Sequence, residues 1–292
     1  MEIKINIDKK IKKNSTILSS KEYQYILEKF KKHGMINFSN ISSNIKNLVK
    51  FVDLFTKNYS NDAKRRKIRF NQSKLRNVDI GLIGLKEVKL HSETSFSPSR
   101  PEIVWFYCIK PPKTNSGKTL ICDGITLWNI LSAETKFFFL GEPVYYSLRI
   151  PIENNIKGKG KKKWYLDSPG VKNCYLNYDN NSIEFEYIKF AVQESLYENK
   201  LCFSNHLIVT LNSELQMLSR KMYSGEKIPK RIMTEIIQKS KSITHEITWK
   251  KNDLLMLDNL RFMHGRQAIS SKEIGRDIIT MQTLKSSFNL KN

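Results

Sequence analysis

His91-Ser92-Glu93, and far downstream Asp258-Asn259-Leu260-Arg261-Phe262-Met263-His264-Gly265-Arg266, are the stretches on which the reading of this chain turns. His91 and Glu93 are two apart, so on a β-strand both side chains point to one face. Leu254 to Asp258 reads as an apolar strand, and His264 follows it. If both stretches lie on strands of one scaffold, two imidazoles and one carboxylate converge on a single point. Imidazole nitrogen with a hard anionic oxygen suits Fe(II) and leaves coordination positions open. An H-x-E triplet alone is weak evidence in a chain this long. The same donors also suit zinc in a hydrolase.

The surroundings of the second stretch strengthen the first. Gly265 is expected to let the backbone turn tightly at the ligand. Arg276 opens the next strand. A guanidinium there is a natural clamp for a dicarboxylate co-substrate, because its fork grips a carboxylate with two hydrogen bonds. Thr119, on the strand after the first pair, can add a hydroxyl to the same carboxylate. A zinc hydrolase would need neither Arg276 nor Thr119. The remaining histidines lack such a context: His33 reads as a helix-end residue and His245 as strand surface or core.

The chain has 292 residues, 40% hydrophobic, which suits one large domain over 1–292. No stretch has the length and apolarity of a membrane-spanning helix, and the N-terminus has no apolar segment of a signal peptide. Cys108, Cys122, Cys174 and Cys202 are scattered, with no C-x-x-C pair, so a reducing cytoplasm is expected. The formal charge of +22 would by itself suggest nucleic acid or an anionic membrane. The lysines, however, are spread along the chain, as in a Lys-, Ile- and Asn-rich composition generally. Only Lys157 to Lys163 forms a run, read as a mobile solvated loop. Neither nucleic acid nor a membrane is the expected partner; an acidic protein such as a carrier, steered by the positive field, is a third option.

Along the chain, Ser20 followed by Glu22 to Phe30 reads as a capped amphipathic helix ending at His33-Gly34, and Ser42 to Phe55 has a helical period. Met35 to Phe38, Leu85 to Leu90, Ile103 to Ile109 and Lys118 to Cys122 read as strands. Residues 59–78 read as a basic surface loop. Asp123 is expected to cap one helix running through Leu131 to Phe139. In the middle, Val144 to Ile150 and Ile183 to Ile188 look like strands, Leu211 to Tyr223 and Pro229 to Lys239 like helices. Thr244 to Trp249, Leu254 to Asp258 and Asp277 to Thr283 read as closing strands.

Taken together, H-x-E, then Gly117-Lys118-Thr119 with Asp123 soon after, then D-N-x-R-x-x-H-G-R, then the strand-opening Arg276 resembles the taurine-dioxygenase-like (TauD/TfdA) superfamily of Fe(II)/2-oxoglutarate oxygenases. The resemblance covers residues 85–140 and 244–283. The stretch His91 to Pro101 looks most like the branch that hydroxylates amino acids in peptide-antibiotic pathways. Two departures stand out: the carboxylate is Glu where Asp is commoner, and Ser116-Gly117-Lys118 replaces the usual Gly-Gly before the Thr.

The resemblance implies a mainly β fold with flanking helices (α+β), a double-stranded β-helix or jelly roll of cupin-like form. Residues 141–243 would be a helical insertion or lid within it. His91, Glu93 and His264 match the iron ligands; Thr119 and Arg276 match the positions that hold 2-oxoglutarate, with O₂ as the other co-substrate. Arg100, Asn205, His206 and Arg266 lie near substrate regions of the family, which would suit an amino-acid-like or peptidyl substrate. Succinate and CO₂ would be the co-products. Related halogenases lack the carboxylate, so Glu93 implies hydroxylation, desaturation or cyclisation. A demethylase acting on nucleic acid or protein is the rival within the same chemistry. It would call for a second Arg soon after Arg276, and residues 277–282 contain none.

Overall fold

A computed structural model describes residues 3–6, 18–41, 44–56, 58–59, 79–80, 85–152, 156–164, 168–209, 216–271 and 275–285. Most of the loop expected over 59–78 lies outside them. Two sheets build the scaffold. The larger, of seven strands, runs in the order Ile3–Asn6, Met35–Ser39, Leu254–Asp258, Ile103–Lys110, Asp277–Lys285, Asn58–Tyr59, with Asp79–Ile80 also paired to Asp277–Lys285. The smaller, of four, runs His245–Ile247, Thr119–Asp123, Phe262–Arg266, Val88–His91. Apart from the parallel pair Ile3–Asn6 with Met35–Ser39, the pairings are antiparallel.

Strand periodicity explains why the sheets stack. In Ile103–Lys110 the residues Ile103, Trp105 and Tyr107 pack against the two N-terminal helices, while Val104, Phe106 and Cys108 face the other sheet. Leu254 and Met256 share the helix side, and Leu255 and Leu257 the inner side. Both faces are therefore buried, and the strands read as unbroken apolar runs rather than alternating ones. Ile121, Ile247 and Phe262 come from the smaller sheet to complete the inner layer. This is the jelly-roll sandwich expected, a mainly β fold with flanking helices.

Helix Ser20–His33 is set by a capping box. Ser19 accepts from the Glu22 amide, the Glu22 carboxylate receives the Ser19 N–H at 2.9 Å, and Gly34 ends the helix at φ 68°. Asp123 does cap a helix, Gly124–Ile130, but the chain breaks there. Ser132 caps a second helix, Ala133–Gly141, and the Glu235 carboxylate receives the Ser132 and Thr135 hydroxyls.

Between Gly141 and His245 the chain carries more strand than expected. Gln216–Met222, within the segment read as a helix, is a strand paired to Val144–Pro151. With Ser182–Lys189, Val171–Asn177 and Lys161–Lys163 they form a five-stranded antiparallel sheet. One long helix, Lys230–Ile243, follows. The basic run is not all loop: Lys161–Lys163 is an edge strand, and Lys161 reaches Glu184 at 2.7 Å. Lysines on an edge strand hinder further pairing. No helix among the described residues is long and apolar enough to cross a membrane.

Candidate metal centre

His264 lies inside strand Phe262–Arg266 of the smaller sheet, paired to His91 on one side and Ile121 on the other. Cross-strand partners share a face, so residues far apart in the chain become neighbours, with ring centroids 4.5 Å apart. The Glu93 carboxylate completes the group. Its Oε2 is 3.7 Å from Nε2 of each histidine, and one ligand atom from each residue falls within 4.8 Å of the others. That spacing is too long for hydrogen bonds. It is close to what ligands at about 2.0–2.2 Å from one shared ion require.

Each imidazole offers Nε2 inward. His91 Nδ1 lies 2.8 Å from the Lys89 carbonyl, which fixes its proton there and leaves the Nε2 lone pair toward Glu93. His264 is buried, with Phe106 edge-on at 5.1 Å. Burial, and then the neighbouring His91, lower its pKa from the usual 6.5, so the neutral ligand form is favoured.

Glu93 is not held by strand pleating. The strand ends at His91, and Glu93 opens a turn in which Thr94 has φ 45°. Asn259 grips that turn instead. Its Oδ1 accepts from the Glu93 amide at 2.8 Å, and its Nδ2 donates to the Glu93 carbonyl at 3.1 Å and the Pro101 carbonyl at 2.8 Å. Asp258 holds the downstream turn by accepting from the Leu260 and Arg261 amides. Arg261 pairs with both oxygens of Asp123 and with Glu198, tying this turn to strand Thr119–Asp123.

Gly265 does not make a turn. It sits within the strand, and a Cβ there would lie 2.7 Å from the Val88 carbonyl oxygen. A side chain would push the His91 strand away from the His264 strand.

A cavity between the sheets opens on this centre and is lined by Val88, Val104, Phe106, Ile278 and Thr280 along with Thr119, Arg266 and Arg276. Arg276 donates to Thr119 Oγ1 at 3.4 Å. Gly117, at φ 67°, leaves room for the Arg276 stem, because a Cβ would lie 3.2 Å from its Cδ. Arg266 pairs with Thr119 across the strands and donates to the Lys86 carbonyl at 2.8 Å. The arrangement thus offers three metal-type donors at one end and guanidinium with hydroxyl at the other.

The taurine catabolism dioxygenase TauD, TfdA family matches residues 8–281. The chain belongs to this family. It is therefore an Fe(II)/2-oxoglutarate-dependent dioxygenase, with O₂ as co-substrate. No curated protein matches it. Among solved structures, a taurine dioxygenase from Burkholderia xenovorans is similar at 12% identity and TM-score 0.60, covering 97% of this chain and 86% of that one. PvcB from Pseudomonas aeruginosa is similar at 12% identity and TM-score 0.54, over 89% and 79% of the two chains. AAD-2, solved with Mn(II) and N-oxalylglycine, is similar at 14% identity and TM-score 0.55, over 92% and 90%. At these identities the likeness concerns the fold.

The donor set in this dioxygenase fits iron. It combines two buried imidazoles and one carboxylate, with His264 Nδ1 buried and lacking a hydrogen-bond partner among the described residues. Ligation at Nε2 would fix the tautomer that no neighbour fixes.

Two residues expected near substrate lie elsewhere. Arg100 is buried with its guanidinium on Ser92 Oγ at 2.9 Å, the Asn259 carbonyl at 2.8 Å and the Ser204 carbonyl at 3.0 Å. Asn205 donates to the Ala191 carbonyl, accepts from the Leu207 amide, and through its own carbonyl accepts from the Ser92 amide. Both brace the dioxygenase's His91-to-Glu93 turn from behind, and neither lines the cavity.

His206, expected near substrate, lies beside the centre. Its ring stands edge-on to His91 at 5.1 Å and to Phe96 at 4.7 Å. Burial, chiefly, pushes its pKa down to about 3, so the ring is neutral. Sequence pattern assigns no role to Asn259 or Trp249. An Asn directly after a strand end was the only available signal for the first.

Proposed function

We propose that His91, Glu93 and His264 hold the iron, that Thr119 and Arg276 hold the distal carboxylate of 2-oxoglutarate, and that the enzyme oxidises an unactivated C–H of a small amino-acid-like or peptidyl substrate. The observation that carries this is the Glu93 Oε2 distance of 3.7 Å to both imidazole Nε2 atoms, with Arg276 and Thr119 on the same cavity. Bound iron and 2-oxoglutarate supply the chemistry: oxidative decarboxylation to succinate and CO₂, and oxidation of the C–H bond.

The chain's own residues position and shield. The apolar wall of Val104, Phe106 and Ile278 excludes water from the reacting end. Glu93, oriented by Asn259, fills the position that halide takes in related halogenases, which favours hydroxylation, desaturation or cyclisation. Of the residues expected to bind substrate, Arg266 reaches the cavity. It is a second cationic group there and matches a substrate carboxylate. Arg100 and Asn205 serve as braces in this reading. PvcB is described as an Fe, alpha-ketoglutarate-dependent oxygenase from an isonitrile synthetic pathway, which supports a place in specialised metabolism. A substrate tethered to an acidic carrier protein fits the net charge of +22.

Succinate release from free amino acids, short peptides and carrier-loaded aminoacyl groups tests the substrate class. One acidic member should couple 2-oxoglutarate turnover to its own oxidation. Arg266→Ala should raise KM for that member and leave KM for 2-oxoglutarate unchanged. The reverse pattern would move Arg266 to the co-substrate end. Coupled turnover with an alkylated oligonucleotide, and with no amino-acid-like compound, would favour the demethylase reading.

A further inference from the structure

Trp249 follows strand His245–Ile247 and is buried in the inner layer. Its indole Nε1 donates to Thr119 Oγ1 at 2.9 Å. Arg276 donates to the same oxygen from another direction, at 3.4 Å. A threonine hydroxyl has two acceptor lone pairs and one hydrogen, and an indole N–H can only donate. With both lone pairs facing donors, the hydroxyl hydrogen is left to point to a third partner. Thr119, Arg276 and Arg266 line one cavity, so the end of it away from the histidines presents hydrogen-bond donors.

We propose that Trp249 is a positioning residue for the co-substrate: its indole N–H sets the Thr119 hydroxyl as a donor to the distal carboxylate of 2-oxoglutarate. This rests on the assignment of Thr119 and Arg276 to that carboxylate. It deepens the assignment by making the subsite selective. A carboxylate accepts from every group around it, while a carboxamide would turn an N–H₂ toward a donor. Without Trp249 the Thr119 hydroxyl is free to rotate and accept, so discrimination against the carboxamide analogue, 2-oxoglutaramate, should narrow.

The test is a double-mutant cycle on the Mn(II)-loaded protein, with 2-oxoglutarate binding followed by calorimetry. Trp249→Phe should weaken binding about threefold to tenfold, the scale of one neutral hydrogen bond. In a Thr119→Val background it should have no further effect, since the hydroxyl it orients is gone. Oxalate, which chelates the metal without reaching the subsite, should bind all variants equally. Losses that multiply independently, or an equal loss for oxalate, would show that Trp249 acts by packing and overturn the proposal.

If Trp249→Phe does not fold, β-(3-benzothienyl)alanine at 249 keeps the ring shape and removes only the N–H, and the same outcomes apply. Undiminished 2-oxoglutarate binding in both Arg276→Ala and Thr119→Val would instead refute the underlying assignment. The two failures are therefore distinguishable.

Discussion

The Asn259 carboxamide holds both backbone polar groups of Glu93, accepting from its N–H at 2.8 Å and donating to its C=O at 3.1 Å. These residues are 166 positions apart in the chain, and the contact joins the two stretches that build the candidate metal centre. Partners that orient a ligand typically matter about 10–100-fold in metal affinity. Asn259→Ala should therefore weaken Fe(II) or Mn(II) binding by about that factor, read by equilibrium titration. Wild-type affinity in a folded variant would show that Glu93 holds its geometry unaided.

Gly265→Ala tests the close approach of the two histidine strands. The added methyl would lie 2.7 Å from the Val88 carbonyl oxygen, which is backbone and cannot swing aside. Overpacking of this kind costs about 1–3 kcal/mol. Urea unfolding should show a loss of that size, with weaker metal binding as His91 and His264 separate.

Gly117→Ala should act on the other end of the cavity. The residue has φ 67°, and a Cβ would lie 2.9 Å from Ile269 Cγ1 and 3.2 Å from Arg276 Cδ. A non-glycine residue in this conformation costs about 1–2 kcal/mol. Affinity for 2-oxoglutarate should fall as Arg276 is displaced, while metal affinity stays as in the wild type.

Asp258 makes a prediction about pH. Burial raises its carboxyl from the ordinary 3.8 to about 6, against the pull of its hydrogen bonds and of Arg100 and Arg261. Below about 3.8 the group is neutral in both folded and unfolded chains; between about 3.8 and about 6 it ionises only when unfolded. Its contribution to stability therefore falls as pH rises through that window and levels off above it. In Asp258→Asn, whose amide oxygen can still accept from the Leu260 and Arg261 amides, this contribution is gone. The stability of the wild type relative to the variant should decline from pH 4 to pH 6.5. A flat difference would mean that Asp258 ionises normally.

Much of the site was legible because residue types at fixed spacing carry it. His91, Glu93 and His264 were identified from pattern, and the structure brings them within reach of one ion. Pleating alone does not place Glu93. Strand pleating places His91, whereas Glu93 sits in a turn held by a distant side chain, which spacing cannot reveal. Arg100 shows the same limit in reverse. A charged residue in a Ser- and Pro-rich stretch reads as surface or substrate contact, but the nearby Ser92 hydroxyl and two buried carbonyls from distant segments, Ser204 and Asn259, claim it.

Gln216–Met222 was misread for a related reason. Leu211, Leu215, Leu218 and Met222 are spaced as on a helix, but the ladder offered by Val144–Pro151 decided the state of Gln216–Met222. The scaffold strands were legible because their two-sided burial leaves long apolar runs, such as Ile103–Lys110.

The most direct test is anaerobic Fe(II) titration followed by 2-oxoglutarate. Wild-type protein should bind one Fe(II) per chain and develop the visible charge-transfer absorption of an iron-chelated 2-oxo acid. Glu93→Ala and His264→Ala should lose it, and Arg276→Ala should require far more 2-oxoglutarate to reach it. An undiminished band in Glu93→Ala and His264→Ala, or none in the wild type with iron bound, would contradict the site assigned here.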